Sequence, residues 1–360
     1  MIKSEKFMYP RIMIDLNKIE NNVKHITSKC NDKGIKVAGV TKVFCADSSI
    51  ADAFIGGGVD YMADSRVENL KRLQNKGLPV YMLRLPMPSE TSEVVEFSDV
   101  SLNSEIKTIR LLNQSAKDQN KIHGVVLMID LGDLREGIFN EEELLKTITE
   151  VLKLKNIELK GIGTNLTCYG GVIPTEENLG KLVDYKNKIE NQFDIKLEII
   201  SGGNSSSLYL LDKRNIPDGI NMLRIGEAFV LGRETAYGNA IEGTFDDAFI
   251  LEVEIIEVKE KPSLPVGKIG MDAFGNKPVF QDKGIMTRGI CAIGRQDVET
   301  DGLICCDENI VVVGASSDHL IVDLSSCQHE YKPGDVLCFK LTYGGLLKAF
   351  TSEYVSKVYR

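Results

Sequence analysis

Residues 35–42 read IKVAGVTK, a short run of apolar and β-branched residues that ends in a threonine and a lysine. A run of this kind is typical of a strand that is buried on both faces of a parallel sheet. Similar runs follow along the first two thirds of the chain, at residues 60–63, 80–83, 99–102, 125–130, 159–164, 197–201 and 221–225. The sequence therefore predicts eight buried strands.

The segments between these runs have helical periodicity. Apolar residues recur three and four positions apart, as in a helix that packs against a sheet, at residues 65–74, 104–115, 141–154 and 176–191. Strands that alternate with helices form parallel sheets, and eight such units form a TIM-type (β/α)8 barrel. The fold class predicted is α/β, with this barrel as an N-terminal domain over residues 1–235.

The chain changes character after about residue 240. Strand-like runs follow one another with turn residues between them, and no helical period longer than two turns interrupts them; the runs are 248–258, 289–293, 310–313, 320–324, 336–341 and 354–359. This pattern predicts a separate, mainly antiparallel C-terminal β domain over residues 236–360. An early run at residues 11–16 precedes the barrel, so it either joins the second domain's sheet or leads into the barrel.

Composition excludes several classes of function. The net charge is -9 and no stripe of basic residues is present, so a nucleic-acid partner is not expected. No apolar stretch is long enough to span a bilayer and no secretory signal is apparent, which predicts a soluble, cytoplasmic protein with no membrane partner. The eight cysteines lack the spacing of a metal site, so we expect reduced thiols and no bound metal, with a catalytic thiol as the alternative.

Polar residues follow the predicted barrel strands at the points where they end. In a TIM-type barrel the active site lies at these carboxyl ends. Any one of them could be an ordinary cap in contact with water, but together they predict a site; they are Lys42, Asp64, Arg84, Asn103, residues 130–135, Thr164, Asn165, residues 202–207 and Arg224.

Two of these positions suggest specific chemistry. Lys42 ends a strand with little charge nearby, and desolvation lowers the pKa of a lysine towards the range in which it is a nucleophile suited to Schiff-base formation. The segment SGGNSSS, residues 201–207, ends the seventh strand, where TIM barrels commonly bind phosphate, and Arg224 ends the eighth. A solvated lysine and a salt-bridged arginine are the plain alternatives.

With these residues in this order, the chain resembles the alanine-racemase-like, fold-type III enzymes that use pyridoxal phosphate (PLP), over nearly its whole length. The likeness is greatest to their ornithine racemase branch. KVAGVTK, residues 36–42, is similar to the family's KVAVVKAN, which implies that Lys42 binds the cofactor covalently. MIDLGDLREG, residues 128–137, is similar to KVDTGMNRLG, which implies that Arg135 binds the substrate carboxylate.

The same resemblance implies further cofactor contacts in the barrel. GIGTNL is similar to GLWTHF and places Asn165 where a histidine usually stacks on the cofactor. LRIGEAFVLG is similar to VRPGIALYG, so Arg224 is expected to bond the pyridine nitrogen. The phosphate is expected to meet Asn204, Ser205 and the amides of Gly226 and Glu227.

In the second domain the motifs are less specific. AIGRQD is similar to PIGYAD, with Arg295 in place of the tyrosine, and GASSDHLIVDL is similar to GRVSMDQIMVDL. The second match aligns Ser317 and Asp318 with a pair that reaches into a neighbouring subunit's site. The ending TSEYVSKVY is similar to ISYRVPRVY and suggests Tyr354 as a phosphate contact.

One departure from the family concerns the mechanism. The family's VSYGATY segment supplies a catalytic tyrosine, whereas the corresponding KIGMDAFGNKPVF, residues 268–280, has none. Asp272 is its best proton carrier if a closed site raises its pKa, and a solvated turn aspartate is the alternative. If the methionine occupies that slot, the base is Cys291 or another group.

The resemblance implies a PLP-dependent amino-acid racemase, with Lys42 and Asp272 as the two bases and a head-to-tail homodimer that shares its active sites. Ornithine is the favoured substrate, lysine the near neighbour and alanine the less favoured one. Asp272, Asp318 and Glu353 are candidate partners of a distal ammonium group. The alternatives are a PLP-binding homeostasis or carrier protein without turnover, and a PLP lyase or aldolase.

Overall fold

The structure is a computed structural model that describes residues 8–213 and 215–360. It divides the chain into two units. The larger, called the barrel unit below, is Leu16–Phe245. The smaller, the β unit, combines Asp246–Arg360 with the described residues up to Asp15, which include the first strand, β1 (Arg11–Ile14).

The barrel unit is built on eight parallel strands that close into a barrel. Their bounds are β2 (Lys36–Val40), β3 (Tyr61–Asp64), β4 (Val80–Met82), β5 (Val100–Asn103), β6 (His123–Met128), β7 (Ile157–Gly163), β8 (Ile199–Ser201) and β9 (Met222–Ile225). The ring closes where β2 pairs with β9, with Gly39 opposite Ile225. The predicted barrel is confirmed, and each strand overlaps one of the runs found in the sequence.

Helices connect these strands. They are α1 (Leu16–Asn31), α2 (Ser48–Gly56), α3 (Val67–Leu73), α4 (Thr91–Phe97), α5 (Ile106–Asp118), α6 (Glu141–Val151), α7 (Glu176–Phe193), α8 (Leu208–Lys213) and α9 (Glu227–Leu231). Two single 3-10 turns, Lys42–Phe44 and Ser205–Ser207, follow β2 and β8. Within the described residues no helix is both long and apolar enough to cross a membrane.

Apolar side chains fill the interior of the barrel. Ala38, Ala63, Leu102, Val126 and Met222 are among the buried residues of one cluster, contributed by five of the strands. A packed interior leaves the strand ends as the places where a ligand can bind.

The β unit is a mainly antiparallel sheet. Its other strands are β10 (Phe249–Pro262), β11 (Ile285–Cys291), β12 (Leu303–Cys305), β13 (Val311–Ala315), β14 (Leu320–Asp323), β15 (Val336–Leu341) and β16 (Ser356–Tyr359). The order is β12-β15-β10-β11-β14-β13, and β1 pairs antiparallel with β10 and parallel with β16. The predicted second domain is confirmed, and the early run at residues 11–16 contributes to its sheet.

Three details differ from the sequence predictions. The units meet at Phe245 and Asp246 rather than at residues 235 and 236, because Asn22 on α1 exchanges hydrogen bonds of 2.7 and 2.8 Å with the backbone of Phe245. The short strand β12 was not predicted. A helix, α10 (Tyr343–Thr351), interrupts the strands, and the Thr342 hydroxyl caps it by accepting a hydrogen bond from the Gly345 N–H.

Candidate active site

The turn that carries Lys42 is held to the neighbouring strand by a buried carboxyl group. The Thr41 hydroxyl, directly before Lys42, donates to Asp64 Oδ2 at 2.5 Å. Asp64 Oδ1 accepts hydrogen bonds from the backbone N–H groups of Ser65 and Arg66 and from the side chain of Asn69. Burial raises the pKa of Asp64 above its ordinary value, against the lowering effect of these bonds. These bonds fix the ends of β2 and β3 and therefore the backbone at Lys42. Lys42 itself is half-buried.

Arg224, at the end of β9, is a buried cation whose hydrogen-bond partners are uncharged. It is 4% exposed, and its guanidinium donates to the Ser201 hydroxyl and, at 2.7 Å, to the Thr164 carbonyl. Burial lowers its pKa to about 10, and the negative charge of Glu136 opposes that effect. Arg224 therefore remains charged at neutral pH, although it forms no ion pair with a carboxylate among the described residues. Such an environment suits a ligand atom that accepts a hydrogen bond.

The segment at residues 201–207 is tied to both neighbouring strand ends. Asn204 Nδ2 donates to Asn165 Oδ1 at 3.1 Å and to the Leu166 carbonyl at 2.9 Å. The Ser205 hydroxyl accepts from the Ala228 N–H at 3.2 Å, which connects this segment to the start of α9. The structure thus brings together Asn165, Asn204 and Ser205, three of the predicted cofactor contacts.

Gly226 allows a close approach between the ends of β9 and β2. A Cβ atom at this position would lie 3.1 Å from the Val40 Cβ and 3.2 Å from the Val40 carbonyl oxygen. The next residue, Glu227, forms an ion pair with Arg233 at 3.0 Å. Burial raises the pKa of Glu227, whereas the positive charges of Arg233 and Lys42 lower it. The predicted Lys42 and Glu227 positions are therefore electrostatic neighbours.

Several buried polar atoms at these strand ends have no hydrogen-bond partner. They belong to residues that follow β7 or β8 or end β5: Thr164 Oγ1, Asn165 Nδ2, Ser206 Oγ and Asn103 Oδ1. A buried polar group left unpaired costs about 1–3 kcal/mol. Their concentration at one end of the barrel indicates a site that is completed by a polar ligand.

Arg135 lies in the loop between β6 and α6 and is paired with a neighbour that the sequence analysis missed. Its guanidinium donates to both carboxylate oxygens of Glu136. Partial burial lowers the pKa of Arg135, but the ion pair with Glu136 outweighs this effect and raises it. Arg135 follows β6 and Arg224 lies near the end of β9, which places both at the same end of the barrel, and the positive charge of Arg135 lowers the pKa of Arg224.

Asp133, in the same loop, was also missed. It is 1% exposed and accepts backbone hydrogen bonds from the loop that follows Asn165 and Leu166. Asp133 and Glu136 stand where the family motif KVDTGMNRLG has methionine and leucine. That exchange of apolar residues for carboxylates is the signal by which the sequence could have identified them.

Asp272 lies in a tight turn of the β unit, near Arg295, which is another predicted site residue. Asp272 Oδ1 accepts hydrogen bonds from the backbone N–H groups of Asn276 at 2.8 Å and Phe274 at 2.9 Å. These bonds lower the pKa of Asp272, contrary to the expectation that a closed site raises it, because backbone donors stabilise the ionised carboxylate. Arg295 lies 4.7 Å from the centre of the Phe274 ring and adds a positive charge.

Arg295, Ser317 and Asp318 lie on adjacent loops of the β unit. The Arg295 N–H donates to the Ser316 carbonyl at 2.8 Å, and the Ser317 hydroxyl donates to Asp318 Oδ2 at 2.9 Å. Arg295 Nε is buried and has no partner. The Tyr354 side chain is exposed, as are Ser317 and Asp318, so these groups are available to a ligand or a second chain.

Cys291, the alternative base, is poorly suited to that role. Its side chain is fully buried on β11, and burial raises the pKa of its thiol to about 12. A thiol with such a pKa stays protonated at neutral pH and accepts no proton.

Comparison with known proteins identifies the family of the chain. The family model described as alanine racemase, N-terminal domain, matches residues 14–234. The chain is 51% identical to an ornithine racemase of Acetoanaerobium sticklandii over 97% of this chain and 99% of that protein. It is 42% identical to a lysine racemase of Thermotoga maritima over 98% of this chain and 99% of that protein.

The fold is also that of solved alanine racemases. The structure of alanine racemase from Bartonella henselae with covalently bound pyridoxal phosphate superposes with a TM-score of 0.74 at 16% sequence identity, covering 98% of this chain and 100% of that one. The resemblance inferred from the motifs is confirmed by these matches: the chain is an amino-acid racemase that belongs to the alanine racemase family.

Proposed function

We propose that this protein is a PLP-dependent racemase that interconverts the L- and D-enantiomers of a basic amino acid, with ornithine as the preferred substrate. Members of its family bind PLP. One observation carries the proposal. Lys42, the buried cation of Arg224 and a set of polar atoms without partners occur together at one end of the barrel.

The residues at this end of the barrel fit the cofactor. Thr164 Oγ1, Asn165 Nδ2 and Ser206 Oγ are buried and lack partners, so a phosphorylated ring with its own acceptors would satisfy them. Asn204, Ser205 and the amides of Gly226 and Glu227 would hold the phosphate. PLP supplies electron withdrawal from the α-carbon of a substrate amine joined to it, which makes the α-proton acidic.

Lys42 and Arg224 have separate tasks in this proposal. The Lys42 amine would hold the cofactor, and the same amine would accept or return the α-proton on one face of the substrate. Arg224 stays charged at working pH because its pKa remains near 10 despite burial. Its guanidinium would donate a hydrogen bond to the ring nitrogen of the cofactor, which would discourage protonation there and disfavour transamination. Asn165 would pack on the ring, and Arg135 would bind the substrate carboxylate.

A second base is needed on the opposite face, and we assign it to Asp272 of a partner subunit. Its lowered pKa keeps it ionised, so it is ready to accept a proton. The shared site requires a head-to-tail homodimer, in which Arg295, Ser317, Asp318 and Tyr354 also serve the partner's site.

Exposed apolar residues in each unit support the dimer. In the loops after the barrel strands, Leu134, Phe139 and Tyr169 are 66, 67 and 76% exposed. In the segment that carries Asp272, Met271 and Val279 are 75 and 96% exposed. A surface that a partner covers would have large exposed apolar side chains of this kind.

The preference for a basic substrate rests on similarity and charge. The ornithine and lysine racemases both match nearly the whole chain, whereas alanine remains the less favoured substrate. Glu136 adds a carboxylate beside Arg135, and Asp272, Asp318 and Glu353 are further candidates to meet the distal ammonium group. An acidic surrounding favours a substrate with one more positive charge than alanine.

Chiral analysis of L-ornithine, L-lysine and L-alanine incubated with the protein and PLP tests the activity. Formation of D-ornithine fastest of the three supports the proposal. Retained chirality of every amino acid would indicate a carrier, and cleavage products a lyase or aldolase; either result overturns it. Borohydride reduction followed by peptide mass analysis should find the pyridoxyl adduct on Lys42 and nowhere else.

The role of Asp272 is tested with a matched pair of variants. Asp272→Asn should lose racemisation while still exchanging the α-proton of one enantiomer with solvent deuterium through Lys42. Asp307→Asn is the control, because Asp307 also sits in a turn of the β unit and also has a lowered pKa owing to a backbone bond from Asn309. Equal racemisation by both variants would rule out Asp272 as the second base.

A further inference from the structure

We infer that Asp133 is a positioning residue that joins the loop carrying Arg135 to the loop carrying Asn165 and so sets the affinity of the site for both cofactor and substrate. The inference rests on the proposed function, because it assigns the two loops their ligands. Asp133 itself touches neither ligand; it acts through the backbone of the second loop.

Four backbone N–H groups of the second loop donate hydrogen bonds to the single carboxylate of Asp133. Asp133 Oδ1 accepts the N–H groups of Thr167 at 3.0 Å and Val172 at 3.1 Å. Its Oδ2 accepts those of Tyr169 at 3.0 Å and Cys168 at 3.3 Å. The Asp133 side chain is buried, so water does not compete for these bonds. Although burial raises the pKa of Asp133, the backbone bonds outweigh it and lower the pKa, which keeps the carboxylate charged.

The two loops also approach each other through their backbones. A Cβ atom at Gly170 would lie 2.7 Å from the Asp133 carbonyl oxygen, so only glycine fits there. Leu134 and Thr167, one on each loop, have φ values of 56° and 67°. Residues with side chains rarely adopt such values, and they persist only where the surrounding contacts impose them. For Thr167 the carboxylate of Asp133 supplies such a contact, by accepting its N–H, whereas the Leu134 N–H is bonded by Asp130.

This connection reaches the predicted ligand contacts on both sides. Arg135 lies two residues after Asp133 in the first loop. In the second loop, Asn165, Leu166 and Cys168 each accept a hydrogen bond from Asn204 Nδ2. A displacement of the second loop would therefore be transmitted to the residues expected to hold the phosphate, and a displacement of the first to Arg135.

The family motif lacks a carboxylate at the position of Asp133. KVDTGMNRLG has methionine at the position of Asp133, and a thioether cannot accept a set of backbone N–H groups as a carboxylate does. Asp130, by contrast, is present in the motif and accepts bonds only within its own loop, from the Gly132 and Leu134 N–H groups.

The test is Asp133→Asn in the full chain, with Asp99→Asn as the matched control. The amide that replaces the carboxylate would present its NH2 group to backbone donors and lose about half of the bonds. Asp99 also accepts a backbone N–H, that of Val80 at 2.7 Å, but before β5 at the opposite end of the barrel. We expect Asp133→Asn to raise both the Kd for PLP, measured by cofactor absorbance, and the KM for ornithine at least tenfold. In contrast, kcat at saturation falls less than threefold and Asp99→Asn changes none of these values.

Two results would overturn the inference. One is a folded Asp133→Asn protein, judged by circular dichroism, whose Kd and KM stay within twofold of the parent; the residue is then merely structural. The other result can be obtained even if the variant does not fold, because it is measured on the parent protein. The inference fails if the backbone amides of residues 167–172 exchange with solvent as fast as those of an open loop. A parent that binds no PLP would instead contradict the proposed function, and the exchange measurement would still decide whether Asp133 holds the second loop.

Discussion

Replacement of Arg224 by methionine should leave the apoprotein about as stable as the parent, although the arginine is buried and donates two hydrogen bonds. Burial lowers the pKa of Arg224 to about 10 from its ordinary value. At about 1.4 kcal/mol for each pKa unit, the charge costs the fold about 3 kcal/mol. Methionine removes this cost and buries an apolar side chain of similar length, which contributes about 2 kcal/mol.

The opposing contribution is the loss of the bonds to the Ser201 hydroxyl and the Thr164 carbonyl. Hydrogen bonds from a charged group contribute about 1.5–3 kcal/mol each. The gains and losses nearly cancel, so we expect Arg224→Met to change the free energy of unfolding by less than about 1.5 kcal/mol. Arg224→Lys keeps the buried charge and loses at least one bond, so it should be less stable than the parent by about 2 kcal/mol.

Urea unfolding of the three apoproteins, followed by far-ultraviolet circular dichroism, measures these differences. The same experiment with PLP tests the function of the charge. A ligand at a hundred times its Kd stabilises the fold by about 2.7 kcal/mol, and the parent should show this gain while Arg224→Met shows little of it. A lower stability of Arg224→Met than of Arg224→Lys would refute this account, as would an equal stabilisation of Arg224→Met and the parent by PLP.

Other parts of the barrel lead to three further predictions. Burial lowers the pKa of His123 to about 4, so the unfolded chain binds a proton at a higher pH than the folded chain does. As the pH falls from about 7.5 to about 5, this difference should lower the free energy of unfolding by about 2 kcal/mol. Urea unfolding of His123→Asn should lack that pH-dependent component. Asp64→Ala leaves several buried donors without an acceptor and should cost about 3 kcal/mol, whereas a loss below about 1 kcal/mol would contradict the role given to Asp64. Glu136→Leu should lower kcat/KM at least tenfold for ornithine relative to norvaline, which lacks the distal amine; an unchanged ratio in the chiral assay would remove Glu136 from substrate selection.

The fold could be predicted from the sequence because its elements are set by local pattern. Buried parallel strands require continuous apolar runs, and each of the eight barrel strands has one. The helix Tyr343–Thr351 was missed because it spans only nine residues and begins with two glycines after its first position. The unit boundary was missed for a different reason: the bond between Asn22 and Phe245 joins residues that are far apart in sequence.

For the candidate site, the sequence indicates which residues lie at the ends of the barrel strands but not which groups their side chains contact. Lys42, Arg135 and Arg224 could be proposed from the sequence because each follows a strand or a motif that it displays, and their roles stay predictions. What each side chain contacts depends on loops that meet only in the fold, such as the amides that Asp133 receives from residues 34–39 positions further along the chain. For the same reason the sequence left open whether Asp272 has a raised pKa in a closed site or is a turn aspartate, and in this chain the turn that surrounds it lowers its pKa.

The distribution of unsatisfied polar groups indicates where in the barrel the proposed site lies. In the described part of the barrel unit, all but one of the buried side-chain atoms that lack a partner belong to Asn103, Thr164, Asn165 and Ser206, at the carboxyl ends of the strands. At the start of β6, by contrast, the buried His123 is paired with the Ser101 hydroxyl. A fold shaped by stability alone would pair or remove such groups at both ends. These unpaired polar groups, together with the buried charge of Arg224, therefore support the proposal that a ligand completes this end of the barrel.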